Sequence, residues 1–292
     1  VARTNWSCCW PKSELEPLLI NLEFFSNLSR GVVTAVETHV DGKFLTVDFD
    51  EQGIVIADLQ EGVARGVLSE KVLTSKLHLG YYVLEAAALS MISTLRAVAL
   101  HAACISWRGV GILLCGESGA GKTTLAYACA RSGWTYVSDD ASYLSLRSQT
   151  RRVVGNHHKI RFRDAATNLF DELCGKTVTS RATGKPSIEL LTAELEDVRT
   201  AAHADVKFIL FLSRNDAFQP TLQPLEPEIA RNYFKRFFLL QPDSESPTGE
   251  AIDDLLSVPI FEFRYARLEP AVSFLTKIAE SGNSWPADET ND

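Results

Sequence analysis

Apolar and polar positions change their period along this chain. Within residues 31–50 they alternate, with Leu45, Val47 and Phe49 on one side and Asp41-Gly42 between two strand-like runs. That pattern predicts a hairpin turning at the Asp-Gly pair. Residues 53–59 predict another strand and residues 68–77 a short helix. Residues 84–95, rich in alanine and leucine, predict a longer helix. From residue 98 the apolar runs become continuous. Residues 98–106, 110–115 and 206–213 read as buried strands, with Arg108-Gly109 as the turn between the first two. Two strands joined so tightly pair antiparallel.

Helical spacing returns at 124–131, where Leu125, Ala128 and Cys129 share a face and Gly133 ends the helix. Residues 134–138 form a strand closing on Asp139-Asp140. Residues 153–163 cluster His157, His158, Lys159, Arg161 and Arg163. Further on, the expectations are a helical stretch at 165–173, a turn and strand at 184–190, an amphipathic helix at 227–238 and a loop at 241–249. A strand at 260–263 and a helix at 270–279 follow. The pattern divides into a small N-terminal α/β domain (1–80), a larger domain (81–280) and an acidic tail (281–292).

The candidate chemistry is concentrated between the strand 110–115 and the helix that follows it. Gly116, Glu117, Ser118, Gly119, Ala120, Gly121, Lys122 and Thr123 fit G-x-x-x-x-G-K-[ST]. Glycines there let successive backbone N–H groups turn toward one anion, and the helix N-terminus adds partial positive charge. This P-loop reading assigns Lys122 to the outer phosphates of a bound nucleotide and the Thr123 hydroxyl to Mg²⁺. Thr124 completes the nucleotide-binding set. Asp139 and Asp140, at a strand end beside such a loop, stand where a metal ligand and a proton acceptor are needed. Arg161, Arg163 and Lys185 are candidates for contact with the transferring phosphoryl group.

Composition narrows the partners. The net charge of -8 argues against general affinity for nucleic acid or anionic membrane. Glu85, Arg96 and His101 interrupt the most apolar window, 81–107, so it is not read as a membrane span. Six cysteines without C-x-x-C pairing fit a reducing cytoplasm, and residues 1–11 do not read as a secretory signal. Cys8-Cys9 could bind a metal but lacks nearby ligands.

Three groups in order, Leu100-His101-Ala102-Ala103, the loop 116–123 and Val137-Ser138-Asp139-Asp140, resemble the catalytic domain of the HPr kinase/phosphorylase family. The resemblance implies an α/β P-loop kinase of the HPr kinase/phosphoenolpyruvate carboxykinase type, a mixed β-sheet flanked by helices. It implies an ATP- and Mg²⁺-dependent transfer of the γ-phosphoryl group to a serine-type hydroxyl on a protein, peptide or small molecule. By that resemblance Asp139 is the catalytic base, Asp140 and Thr123 serve the metal, Lys122 grips phosphate and His101 neighbours the catalytic aspartate. A homo-oligomer is in keeping with it. At residues 155–163 the chain departs from the family's glycine-rich signature, which marks a divergent member. The competing expectation is a nucleotide-binding regulatory or scaffolding module without phosphotransfer. An NTPase switch is a third, weakened by the order of Ser213-Arg214-Asn215-Asp216, which is not N-K-x-D.

Overall fold

Alternation does its work first in the N-terminal strands. In the computed structural model, which describes residues 18–26, 36–148, 150–180, 186–215, 219–238, 240 and 245–280, these are β1 (Leu19–Phe25), β2 (Glu37–Asp41), β3 (Phe44–Asp48), β4 (Gly53–Asp58) and β5 (Val63–Ser69). They form one sheet in the order β1-β5-β4-β3-β2. β2 and β3 make the hairpin expected at Asp41-Gly42. Register places Leu45 opposite Ala57 and Val47 opposite Val55, all four buried. Period two therefore delivers one apolar face. Helical residues cover it: α1 (Glu70–Thr74), α2 (Lys76–His78), a π-helical stretch Leu79–Ala87 and α3 (Ala88–Leu95). Tyr82, Val83, Ala87 and Met91 join the same core. The helix expected from residue 84 is thus α-helical only from Ala88; Leu79–Ala87 winds wider.

The chain divides into two units, the first drawn from residues up to Val98 and the second mainly from Ala99 onward. The second unit is a mixed α/β structure. Its strands are β7 (Ala102–Trp107), which follows β6 (Ala97–Leu100), then β8 (Val110–Cys115), β9 (Thr135–Ser138), β10 (Ser142–Ser145), β11 (Arg152–Gly155), β12 (Lys159–Phe162), β13 (Val178–Thr179), β14 (Ser187–Leu191), β15 (Arg199–Thr200), β16 (His203–Arg214), β17 (Thr221–Pro224) and β18 (Ile260–Tyr265). The helices are α4 (Lys122–Arg131), α5 (Pro227–Lys235), α6 (Pro247–Leu255) and α7 (Leu268–Glu280). The main sheet contains the run β15-β9-β7-β8-β16-β11-β10, with β18 on β16 and β17 on β18.

β7 is antiparallel to both of its neighbours, β8 and β9. β8 and β9 therefore run the same way, and both aim their C-terminal ends at one edge. β8, β16 and β18 are parallel in turn. This is the mixed sheet that the Arg108-Gly109 turn implied; both turn residues take positive φ, at 48° and 87°. α4 and α7 lie in the same apolar core as β7, β8 and β18, through Leu125, Cys129, Leu275, Ile105, Leu114 and Phe263.

Three further local expectations are corrected. The strand 98–106 is broken at His101, which sits in a bend between β6 and β7; its carbonyl is turned to the Tyr233 hydroxyl, 2.8 Å away. Residues 165–173 form two 3₁₀ turns, Asp164–Asn168 and Asp171–Leu173, because Phe170 between them is extended and buried. The expected loop 241–249 ends early: α6 starts at Pro247, whose fixed φ suits a first helical turn, and Ser246 caps it by accepting from Gly249 N at 3.1 Å. Cys8-Cys9, residues 1–11, Gly184, Lys185, Asp216 and the 281–292 tail lie outside the described residues.

Candidate active site

The loop between β8 and α4 is left-handed at every glycine. Gly116, Gly119 and Gly121 have φ of 145°, 97° and 99°, a region that side chains rarely enter. Lys122 opens α4 directly after Gly121. Its side chain is almost wholly buried, yet Nζ is well supplied with partners. It donates to Gly116 O at 2.8 Å and Glu117 O at 3.4 Å, and lies 3.0 Å from His101 Nε2. Asp140 Oδ1 is 3.6 Å away. Burial pushes the Lys122 ammonium's pKa down, and the Asp140 carboxylate pulls it back up.

That contact fixes how His101 is protonated. An ammonium has no lone pair, so Nε2 must accept from it and the ring proton belongs on Nδ1. Nδ1 faces Asp140 Oδ1 at 3.4 Å. Burial lowers the His101 pKa, opposed by Asp140 and reinforced by Lys122. A neutral imidazole thus bridges Lys122 to Asp140.

The two aspartates follow the end of β9 in a bend at the same edge, and their carboxyl groups diverge. Asp140 is solvent-exposed and faces His101 and Lys122. Asp139 turns the other way, where its Oδ2 accepts the Arg161 backbone N–H at 2.8 Å. The Tyr136 hydroxyl lies near this carboxyl and donates to Lys159 O at 3.2 Å. Burial raises the Asp139 pKa to about 6, with the Asp140 charge adding to the rise and Arg161 opposing it. Thr123 ties the two segments together, its hydroxyl donating to Asp139 O at 3.4 Å. Gly155 of β11 allows the close approach behind this strand end: a Cβ there would lie 2.4 Å from Val137 O.

His101, Lys122, Thr123 and Asp140 are therefore gathered at one sheet edge; Asp139 joins them through its backbone carbonyl while its carboxyl faces the Arg161 N–H, so the aspartate beside His101 is Asp140 and not the expected Asp139. The remaining basic candidates separate. The Arg161 guanidinium is engaged by Glu189 at 2.9 Å, so its hydrogen bond to Asp139 comes from the backbone and its side chain acts there only through charge. Arg163 reaches the loop itself, donating to Ser118 Oγ. Among the described residues, no group of three or more His, Cys, Asp or Glu side chains could hold a metal ion. Mg²⁺ does not require such a cage, since it binds one or two carboxylates together with phosphates and water. The hard oxygens of Thr123 and Asp140 fit that donor set.

Sequence reasoning overlooked the end of α5. The Tyr233 hydroxyl is 2.8 Å from both His101 O and Gly116 O, and accepts from Gly116 N at 3.2 Å. It pins the first loop glycine to the residue that carries the imidazole. Phe237 packs its ring 4.7 Å from that of His101. Arg236 Nη2 lies 2.7 Å from Glu117 Oε1. The amphipathic pattern of 227–238 carried a signal that went unread: a tyrosine on the inward face of a helix needs a buried polar partner for its hydroxyl.

Comparison with known proteins places this geometry in context. No family model matches the chain. Over 61 residues it is 38% identical to a protein of Oceanobacillus iheyensis named as an HPr kinase/phosphorylase; the match spans 21% of this chain and 20% of that relative. A solved HPr(Ser) kinase/phosphatase from Coxiella burnetii aligns over 63% of this chain and 99% of its own, at 14% identity and a TM-score of 0.35. Over those 61 residues the chain is similar to an HPr kinase/phosphorylase, of whose length it spans about a fifth.

Proposed function

We propose that this protein is an ATP- and Mg²⁺-dependent kinase that transfers the γ-phosphoryl group to a serine-type hydroxyl of a protein, peptide or small molecule. The observation that carries the proposal is the convergence of Lys122, Thr123, Asp139 and Asp140 on the edge where β8 and β9 end. In this reading residues 116–124 hold the triphosphate, and the loop glycines turn their N–H groups to it. Lys122 exchanges its contacts with the loop carbonyls for β- and γ-phosphate oxygens, guided by charge. Thr123 and Asp140 would hold Mg²⁺, which supplies charge neutralisation on the phosphates. Arg163, already on Ser118, adds a second cation at the loop.

Asp139 acts as the base. An alcohol is a weak nucleophile, and a carboxylate within hydrogen-bond reach accepts its proton as the bond to phosphorus forms. A pKa of about 6 leaves that carboxylate ionised at neutral pH and more basic than an exposed aspartate. The neutral His101 imidazole keeps Lys122 and Asp140 in register.

The test is a transfer screen with labelled ATP against serine-containing peptides, carrier proteins and polyols, run on the wild type and on Asp139→Asn. The variant should bind nucleotide and fail to transfer. Transfer at the wild-type rate by Asp139→Asn would remove the base assignment. Nucleotide binding without ATP consumption by the wild type, with every acceptor, would favour the regulatory module instead.

A further inference from the structure

We propose that Arg236 is a further catalytic residue: on triphosphate binding its guanidinium leaves Glu117 and engages the γ-phosphoryl oxygens. The inference rests on the kinase reading above and adds a residue to it.

Its starting point is where Arg236 is anchored. Glu117 is the second residue of the phosphate loop, and its carboxylate holds the guanidinium 2.7 Å away. Both side chains are at least half exposed, and an exposed pair of this kind contributes little to the fold. The guanidinium is nevertheless held in place. It lies 4.8 Å from the Tyr233 ring centroid and 5.6 Å from that of Phe237. Tyr233 is bonded to Gly116, and Phe237 packs on His101. The two rings position the arginine relative to the loop backbone, so releasing Glu117 does not release the arginine.

A triphosphate changes the balance at that point. The phosphates bring several negative charges to a loop whose carboxylate is already paired, and Glu117 is repelled. A guanidinium offers five donors in a planar fork that matches phosphate oxygens, and it stays charged at any working pH. In the transfer step the bond from the γ-phosphorus to the β,γ-bridging oxygen breaks and a bond from the acceptor oxygen forms. The acceptor proton passes to Asp139 and ADP leaves with the bond's electron pair. Arg236 exchanges no proton; it neutralises charge gathering on the equatorial oxygens, the role an arginine supplied in cis plays in other phosphoryl transfers.

The experiment compares Arg236→Gln, Arg236→Lys and Glu117→Gln for Mg²⁺-ATP and Mg²⁺-ADP affinity, for kcat and KM, and for melting temperature. Arg236→Gln should lower kcat about 1000-fold and weaken ATP about 10-fold, with ADP changed no more than about threefold. Arg236→Lys, which keeps charge but loses the fork, should fall between the two. Glu117→Gln should act with the opposite sign on binding, tightening ATP about threefold or more, because it frees the arginine beforehand. A pair that only clasps the fold predicts equal losses in both variants, and that result overturns the proposal. So does transfer at the wild-type rate by Arg236→Gln. If the wild type itself transfers nothing, the kinase reading fails separately; the ratio of ATP to ADP affinity in Arg236→Gln still decides whether this side chain meets the γ-phosphate.

Discussion

Asp139→Asn should make the nucleotide-free protein more stable at neutral pH while it abolishes transfer. The substitution keeps shape, and the amide oxygen can still accept the Arg161 N–H that Oδ2 accepts at 2.8 Å. What it removes is a charge that the fold resists. Burial, aided by the neighbouring Asp140, lifts this carboxyl from 3.8 to about 6. A rise of that size corresponds to about 3 kcal/mol of stability withheld once the group ionises. Burial of the amide's own polar atoms offsets part of the gain, so the net expected for the variant is about 2 kcal/mol. The sign follows from proton linkage. Between pH 4 and 6 the folded state binds the proton more tightly than the unfolded chain does. The stabilisation is therefore complete below pH 3.8 and is lost as pH rises through about 6. The advantage of the variant should be full above that range, shrink across it, vanish at about pH 4.5 and reverse below that, where the amide's own cost remains. Thermal and urea unfolding in the presence of a chelator, repeated across this range, measures it. For a unit of this size the neutral-pH gain corresponds to roughly 4–8 °C in Tm. An Asp139→Asn protein that is less stable than the wild type at pH 7.5, or whose gain does not change with pH, would refute the argument.

Other expectations concern the parts that hold the site. Tyr233→Phe removes the hydroxyl shared by His101 and Gly116 and should cost about 1–2 kcal/mol in urea unfolding, with a raised KM for ATP. An unchanged KM would detach α5 from the loop. Lys122→Met keeps most of the buried volume but removes the ammonium; nucleotide affinity should fall at least about 30-fold by titration calorimetry, with circular dichroism unchanged. Gly155→Ala sets a Cβ against Val137 O and Ser138 Cβ, at 2.4 and 2.6 Å, behind the strand that ends in Asp139. It should destabilise by about 1–3 kcal/mol and lower kcat more than it alters ATP affinity. A variant as stable and active as the wild type would show that this approach does not position the carboxylate.

The sequence by itself determined whatever is local. An apolar run from Val110 to Cys115, glycines at 116, 119 and 121, and a helical face from Leu125 to Cys129 can fold in few ways, because each signal is read within a dozen residues. The Arg108-Gly109 turn likewise forced β7 and β8 into a hairpin, and with it a mixed sheet. The tertiary structure decided what lies far apart in the chain. Tyr233 meets Gly116 across 117 positions, and Arg236 meets Glu117 across 119. No periodicity reports such a pairing, since helical spacing records only that Tyr233 faces inward, not what its hydroxyl will find. The bend at His101 belongs to the same class: its residues spell one continuous strand, and a carbonyl drawn to a distant tyrosine interrupts it. So does the division of labour between the aspartates. Both lie in a bend beyond β9, and which one met Lys122 and which was turned to the Arg161 N–H depended on the strands that packed around that bend.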